Sequence, residues 1–123
     1  MNYPSESLRG YGKKTFERDK WKCRYCGLDC SSFELINLLS VDHVIPWNQA
    51  NEVTVNLGDP RNLVTSCRAC NGFGNRTKFP IPKGVSFEKQ VAAVFEAKKK
   101  LIARRRGEWR VFYDAEVRPK LQL

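Results

Sequence analysis

Cys23-Arg24-Tyr25-Cys26 and Cys67-Arg68-Ala69-Cys70 are two Cys-x-x-Cys pairs, separated by residues 27–66. A two-residue gap lets both thiolates of a pair turn onto one ion at about 2.3 Å each, and two such pairs complete a tetrahedral zinc site. Two disulfides are the competing use of four cysteines, but disulfides persist in oxidising compartments. The N-terminal stretch Met1-Asn2-Tyr3-Pro4-Ser5-Glu6 has no positive start followed by an apolar run, so a secretory signal is not expected. The reading is therefore a structural Zn2+ held by Cys23, Cys26, Cys67 and Cys70. Cys30 is left over as a small residue or free thiol, because tetrahedral zinc takes four ligands. Gly27 suits the tight turn of a zinc knuckle. The intervening span is longer than that of a plain zinc ribbon, so the ion closes a loop that carries something else.

The rest of the chain sets the bounds. Its 123 residues predict one domain over 1–123 with a modest hydrophobic core. With 22 Lys+Arg against 13 Asp+Glu, the net charge of +9 points to a polyanionic partner. Nucleic acid is favoured over a membrane surface, because no lipidation signal or amphipathic N-terminal anchor accompanies the charge. Charged and polar residues interrupt every apolar stretch well before the length of a transmembrane helix, so no membrane partner is expected. The expected compartment is the cytoplasm of a bacterial or phage-infected cell.

The texture of the sequence divides it further. A short helix is expected around Lys13–Asp19, leading into Trp21. Residues 23–79 are rich in Cys, Gly, Asn and Pro, with short β-type runs such as Leu39–Ile45. Pro46, Pro60 and Pro80 leave no room there for a long helix. From Ser86 the texture changes: Phe87, Val91, Val94, Phe95, Leu101, Ile102, Trp109, Phe112, Tyr113 and Val117 recur at three- and four-residue steps. That period predicts a basic amphipathic helix over about 86–117, with the large aromatics in the core. Ser86 is the expected N-cap and Pro119 the stop, and Gly107 is expected to kink or split the helix. Lys98–Lys100 and Arg104–Arg106 put six cations on it, read equally as a solvated exterior or as phosphate contacts.

The only histidine lies inside the zinc-closed loop, in Val41-Asp42-His43-Val44-Ile45-Pro46. Asn62-Leu63-Val64 precedes the second cysteine pair and Asn71 follows it. Histidine suits a general base near neutral pH, its ordinary pKa being about 6.5. Asp and Asn oxygens are hard ligands suited to Mg2+ or Mn2+, whereas thiolates take zinc. The sequence thus separates a soft structural site from a hard one that can support catalysis.

Taken in order, Cys-x-x-Cys-Gly, Asp-His-Val-Ile-Pro, Asn-Leu-Val and Cys-x-x-Cys-Asn resemble the HNH endonuclease family, of the ββα-metal type with paired zinc knuckles. The lead-in from Phe16 to Cys23 is similar to bacterial and phage members, and the motif core spans 17–79. The resemblance implies an α+β fold, a small ββα-metal core stapled by a four-cysteine zinc site, with a flanking N-terminal helix and a long C-terminal helix. It implies a metal-dependent endonuclease that hydrolyses DNA phosphodiester bonds to a 5′-phosphate and a 3′-hydroxyl. His43 would be the general base activating water, Asp42 and Asn71 would hold one divalent cation (Mg2+ or Mn2+), and Asn62 would fix the loop that orients His43. Asn71 stands where the third family histidine would be, and its amide oxygen can still bind the ion. Family members often carry a Lys or Arg three residues further on; here that position is Gly74, which leaves Arg76 or Lys78 for the role.

DNA contacts are expected from Arg76, Lys78, Lys98, Lys99, Arg104 and Arg105. No small-molecule organic cofactor is expected. The alternative is a zinc-stabilised nucleic-acid-binding module without catalysis, which would equally need the +9 and the cysteines but not the Asp42–His43 pair. Gly72 and Gly74 each weaken the short helix after the second cysteine pair by about 1 kcal/mol relative to Ala, so its order is expected to depend on zinc.

Overall fold

The computed structural model describes residues 8–121. The Met1–Glu6 segment read above lies outside the described residues. Helix α1 (Gly10–Arg18) is followed by the first knuckle, strand β1 (Leu39–His43), strand β2 (Leu63–Cys67), helix α2 (Arg68–Gly74) and helix α3 (Phe87–Phe112). The strands pair antiparallel, with Leu39 opposite Cys67, Val41 opposite Thr65 and His43 opposite Leu63. No residue separates β2 from α2, so strand, strand and helix form the α+β, ββα arrangement that the resemblance implied.

The first knuckle turns at Gly27, whose φ of +79° lies in the left-handed region that glycine adopts without a Cβ penalty. The Gly27 N–H donates to the Cys23 carbonyl at 2.9 Å and closes the turn. The 44–62 loop is held by Asn62. Its Oδ1 accepts from the Ile45 N–H at 2.7 Å, and its Nδ2 donates to the carbonyls of Leu57 at 2.9 Å and Ile45 at 3.1 Å. Gln49, also buried, does the same for the segment after α2: it donates to the Phe79 carbonyl and accepts from the Phe79 N–H. These amides pair backbone groups that no strand or helix satisfies.

The core joins Val44, Ile45, Leu57 and Val64 of the ββ unit to Phe87, Val91, Val94 and Ile102 of α3. Ser86 caps α3, its Oγ accepting from the Lys89 N–H at 3.3 Å. Two expectations for this helix need correction. Gly107 neither kinks nor splits it; α3 runs through to Phe112 and continues as a π-helical turn, Tyr113–Val117, then a 3-10 turn carrying Pro119. One exposed glycine costs only about 1 kcal/mol, and good helix formers flank it. The aromatics also divide: Phe87 is buried, but Trp109, Phe112 and Tyr113 are 60%, 50% and 37% exposed. The far end of α3 meets α2 only across an open groove, where Trp109 and Tyr113 stand beside Ala69 and Phe73 without being buried.

Asp19 ties α1 to the sheet. Its side chain is almost fully buried and accepts from the Thr65 N–H at 2.9 Å, from Arg18 Nε at 2.9 Å and from Arg24 at 3.2 Å. Burial pushes its pKa up, but the Arg18 guanidinium and the Thr65 N–H outweigh burial and hold it below the usual carboxylate range. Asp19→Ala is expected to cost about 2–3 kcal/mol at pH 7, since it leaves the Thr65 N–H without its acceptor and removes the ion pairs to Arg18 and Arg24. A carboxylate with a lowered native pKa stabilises the fold fully above its unfolded pKa of about 4 and loses that contribution as pH falls through the native value. Urea midpoints of wild type and Asp19→Ala should therefore draw together as pH falls below the carboxylate's unfolded pKa. A constant gap would show that Asp19 acts through shape rather than charge.

Candidate metal centre and active site

The four knuckle cysteines converge. Their Sγ atoms all lie within 4.8 Å of one another, with Cys26 and Cys67 3.8 Å apart. A tetrahedral ion with bonds of about 2.3 Å places its thiolates about 3.8 Å apart. No disulfide forms among them, and Cys30, fully buried, stays outside the cluster as the spare thiol. The electrostatics fit the same ion. The Cys70 thiol, hydrogen-bonded to Cys23, pulls the Cys23 pKa down to about 4, and the Cys70 thiol is itself pushed up by that contact and by burial. Burial likewise pushes up the Cys26 thiol. One thiolate forms easily and further ones repel it, a conflict that a shared dication removes. The donor set, spacing and charge fit Zn2+.

A second site gathers around the end of β1. Asp42 and His43 close β1, Asn71 sits on α2 directly after Cys70, and the three line one cavity of about 340 Å³ with Trp47, Arg76 and Lys98. The ββα geometry brings them together: the end of β1 and the first turns of α2 lie side by side once Cys67 and Cys70 are gathered.

The Asp42 carboxylate is held on one side only. The Tyr25 hydroxyl donates to Oδ2 at 2.5 Å and Lys98 Nζ reaches the same oxygen at 3.2 Å. No hydrogen bond among the described residues engages Oδ1. Asn71 Nδ2 donates to Ser40 Oγ at 3.2 Å, so the amide's hydrogen-bond donor is used and its carbonyl oxygen remains as a ligand. A carboxylate and an amide lining one cavity offer hard oxygens, which suit Mg2+ or Mn2+ better than zinc. His43 is half-buried, its ring 5.1 Å from the Trp47 ring. Burial lowers the His43 pKa, and the Lys98 charge adds to this against Asp42, so the imidazole is neutral at pH 7. A neutral imidazole can accept a proton.

Residues 23–73 match the family model for HNH endonuclease. This segment is similar to the HNH endonuclease family. The match contains the knuckles, Asp42, His43, Asn62 and Asn71, and it stops before α3 begins. The chain matches no curated protein and no solved structure. HNH domains bind nucleic acid, in keeping with the excess of cations. No helix among the described residues is long and apolar enough to cross a membrane.

Around this segment, the basic residues sort by exposure. Arg76, Lys78, Lys99 and Arg104 are not buried, and Arg76 stands at the cavity rim with a φ of +61°. Arg105 is half-buried and donates to the Phe73 carbonyl, which docks α3 on α2. Lys98 departs from the expected surface contact. It is 3% exposed, because its position on α3 faces the ββα body and its ammonium finds Asp42 there. Tyr25 and Lys98 are the site residues that sequence reasoning missed. Tyr25 read as a spacer between zinc ligands and Lys98 as one cation of six, and neither pairing with Asp42 leaves a local pattern.

Proposed function

We propose that this chain is a metal-dependent HNH endonuclease that hydrolyses DNA phosphodiester bonds. The observation that carries the reading is the meeting of Asp42, His43 and Asn71 in one cavity with Arg76 at its rim. Asp42 Oδ1 and the Asn71 carbonyl oxygen would hold the divalent ion, and Arg76 would draw in the phosphate. The bound ion would offset the charge that builds on the phosphate and on the departing oxygen. His43 takes a proton from water as the water oxygen bonds to phosphorus. The bond from phosphorus to the 3′-oxygen breaks, and that oxygen takes a proton from solvent water, leaving a 3′-hydroxyl and a 5′-phosphate. Asn62 keeps the 44–62 loop, and with it Trp47 and the His43 ring, in place. Lys78, Lys99 and Arg104 supply phosphate contacts along the flanking DNA, which makes binding weaken steeply with salt.

The test is supercoiled plasmid incubated with the protein and Mg2+ or Mn2+, beside Asn71→Ala. Wild type is expected to nick the plasmid and to stop when the ion is chelated. Asn71→Ala is expected to need about tenfold or more of the divalent ion for half-maximal nicking, with its zinc content unchanged. Loss of zinc from that variant would make Asn71 a structural residue. DNA binding without nicking under any divalent ion would replace the nuclease with a zinc-stabilised binding module.

A further inference from the structure

One wall of the cavity comes from α3, outside the matched HNH segment. Lys98 reaches in from there. Its ammonium lies 3.2 Å from Asp42 Oδ2, 3.0 Å from the His43 carbonyl oxygen and 5.6 Å from the centroid of the Phe79 ring. Its stem passes over Gly74, where a Cβ would stand 3.3 Å from Lys98 Cγ and Cδ and 3.2 Å from Ile102 Cδ1. The glycine on α2 makes room for this lysine. The Tyr25 hydroxyl binds the same oxygen, and the Tyr25 ring is fixed by stacking on Phe95 of α3 at 5.0 Å.

Burying an ammonium is costly, and a buried ion pair commonly stabilises a fold no better than apolar residues of the same volume. An apolar side chain would fill the space over Gly74 without that cost. Two of the ammonium's three N–H donors go to the Asp42 carboxylate and the His43 carbonyl, and the side chain is 3% exposed, so it is not placed as a surface contact for a DNA phosphate. Its contacts go instead to both members of the Asp42–His43 pair.

We propose that Lys98 and Tyr25 are positioning residues: together they clamp Asp42 Oδ2 so that Oδ1 faces the cavity, and Lys98 also fixes the backbone that carries His43. This rests on the nuclease reading of the cavity. In consequence α3 is part of the active site, and the 23–73 segment alone carries only the tyrosine half of the clamp. Misplacement of a reacting group by about 1 Å can cost about a hundredfold in rate.

The experiment compares wild type, Tyr25→Phe, Lys98→Met, the double variant and Lys98→Arg in plasmid nicking at saturating Mn2+. DNA affinity, zinc content and thermal midpoint are measured on each. Turnover is expected to fall about 10- to 100-fold in Lys98→Met and several-fold in Tyr25→Phe, with DNA affinity within about twofold of wild type. Because both act through one oxygen, the double variant should lose less than the product of the two single losses. Lys98→Arg should recover part of the rate. Tyr25→Phe keeps the ring and its stacking, so it decides the matter even where Lys98→Met fails to fold. Wild-type turnover in Tyr25→Phe, a Lys98→Met loss seen only in DNA affinity, or fully multiplicative losses would overturn the clamp while leaving the nuclease standing. Absence of nicking by wild type would overturn the nuclease reading, and the clamp with it.

Discussion

Plasmid nicking by His43→Ala is expected to fall about 10²- to 10⁴-fold below wild type, the range that a positioned general base contributes. His43 ends β1, and its backbone is held by pairing with Leu63 and by Lys98 on its carbonyl, so both survive removal of the ring. The ring is half-buried against Trp47, and no hydrogen bond of the described residues depends on it. The stability cost should therefore stay near about 1 kcal/mol, well below what the fold can tolerate. Zinc content and DNA affinity should match wild type, because the four thiolates and the exposed cations are untouched. Initial nicking rates at saturating divalent ion, read beside a melting curve, separate these effects. Nicking at the wild-type rate would remove His43 from the mechanism and leave the ion-bound oxygens to act on water alone.

Much of this site was legible because its chemistry is local in sequence. Two Cys-x-x-Cys pairs announce a tetrahedral ion by spacing alone, and Asp42-His43 and Asn71 stand out by type and by adjacency to them. The fold followed from the motif order, since β1, β2 and α2 are short and their ends are marked by the same residues. The period of apolar residues from Phe87 to Ile102 likewise announced α3. What the pattern did not carry is where α3 ends its contact with the body. Trp109 and Phe112 keep the helical spacing of core residues, yet both stay half-exposed, Trp109 beside Ala69 and Phe73 of α2 in an open groove. Periodicity reports which face an amphipathic helix would bury and is silent on how far its partner extends.

Lys98 shows the same gap in its most consequential form. In sequence it opens a run of three lysines, and a lysine in such a run is solvated in most proteins. Its burial depends on Gly74, on Phe79 and on Asp42, residues that tertiary packing alone brings together. Gly74 read as a weakness of α2 and a departure from the expected basic residue. In the structure it is the opening through which a basic residue arrives from another helix.

Stripping zinc is expected to remove nicking and part of the helical circular dichroism together, and Cys70→Ser should do the same without a chelator. Helix α2 spans Arg68–Gly74, and an isolated helix that short is not stable in water. It has no side-chain N-cap, and Gly72 and Gly74 each weaken it by about 1 kcal/mol. What orders it is the anchoring of Cys67 and Cys70 in the thiolate cluster and the packing of α3 through Gly74 and Arg105. Structural zinc sites supply about 10–16 kcal/mol of apparent binding free energy, more than a domain's usual net stability. Without the ion, the thiols hold too little to keep α2 docked, and Asn71, next to Cys70, leaves the cavity. Helix α3 is longer and capped by Ser86, so a fraction of the helical signal should persist. Added Zn2+ should restore both signals, whereas Mg2+ or Mn2+ should restore neither, because hard cations bind thiolates poorly. An unchanged spectrum in zinc-free protein would mean that α3 alone orders α2. Nicking that returned with Mg2+ but no zinc would mean that the soft and hard sites are independent, against the one-residue step from Cys70 to Asn71 that joins them.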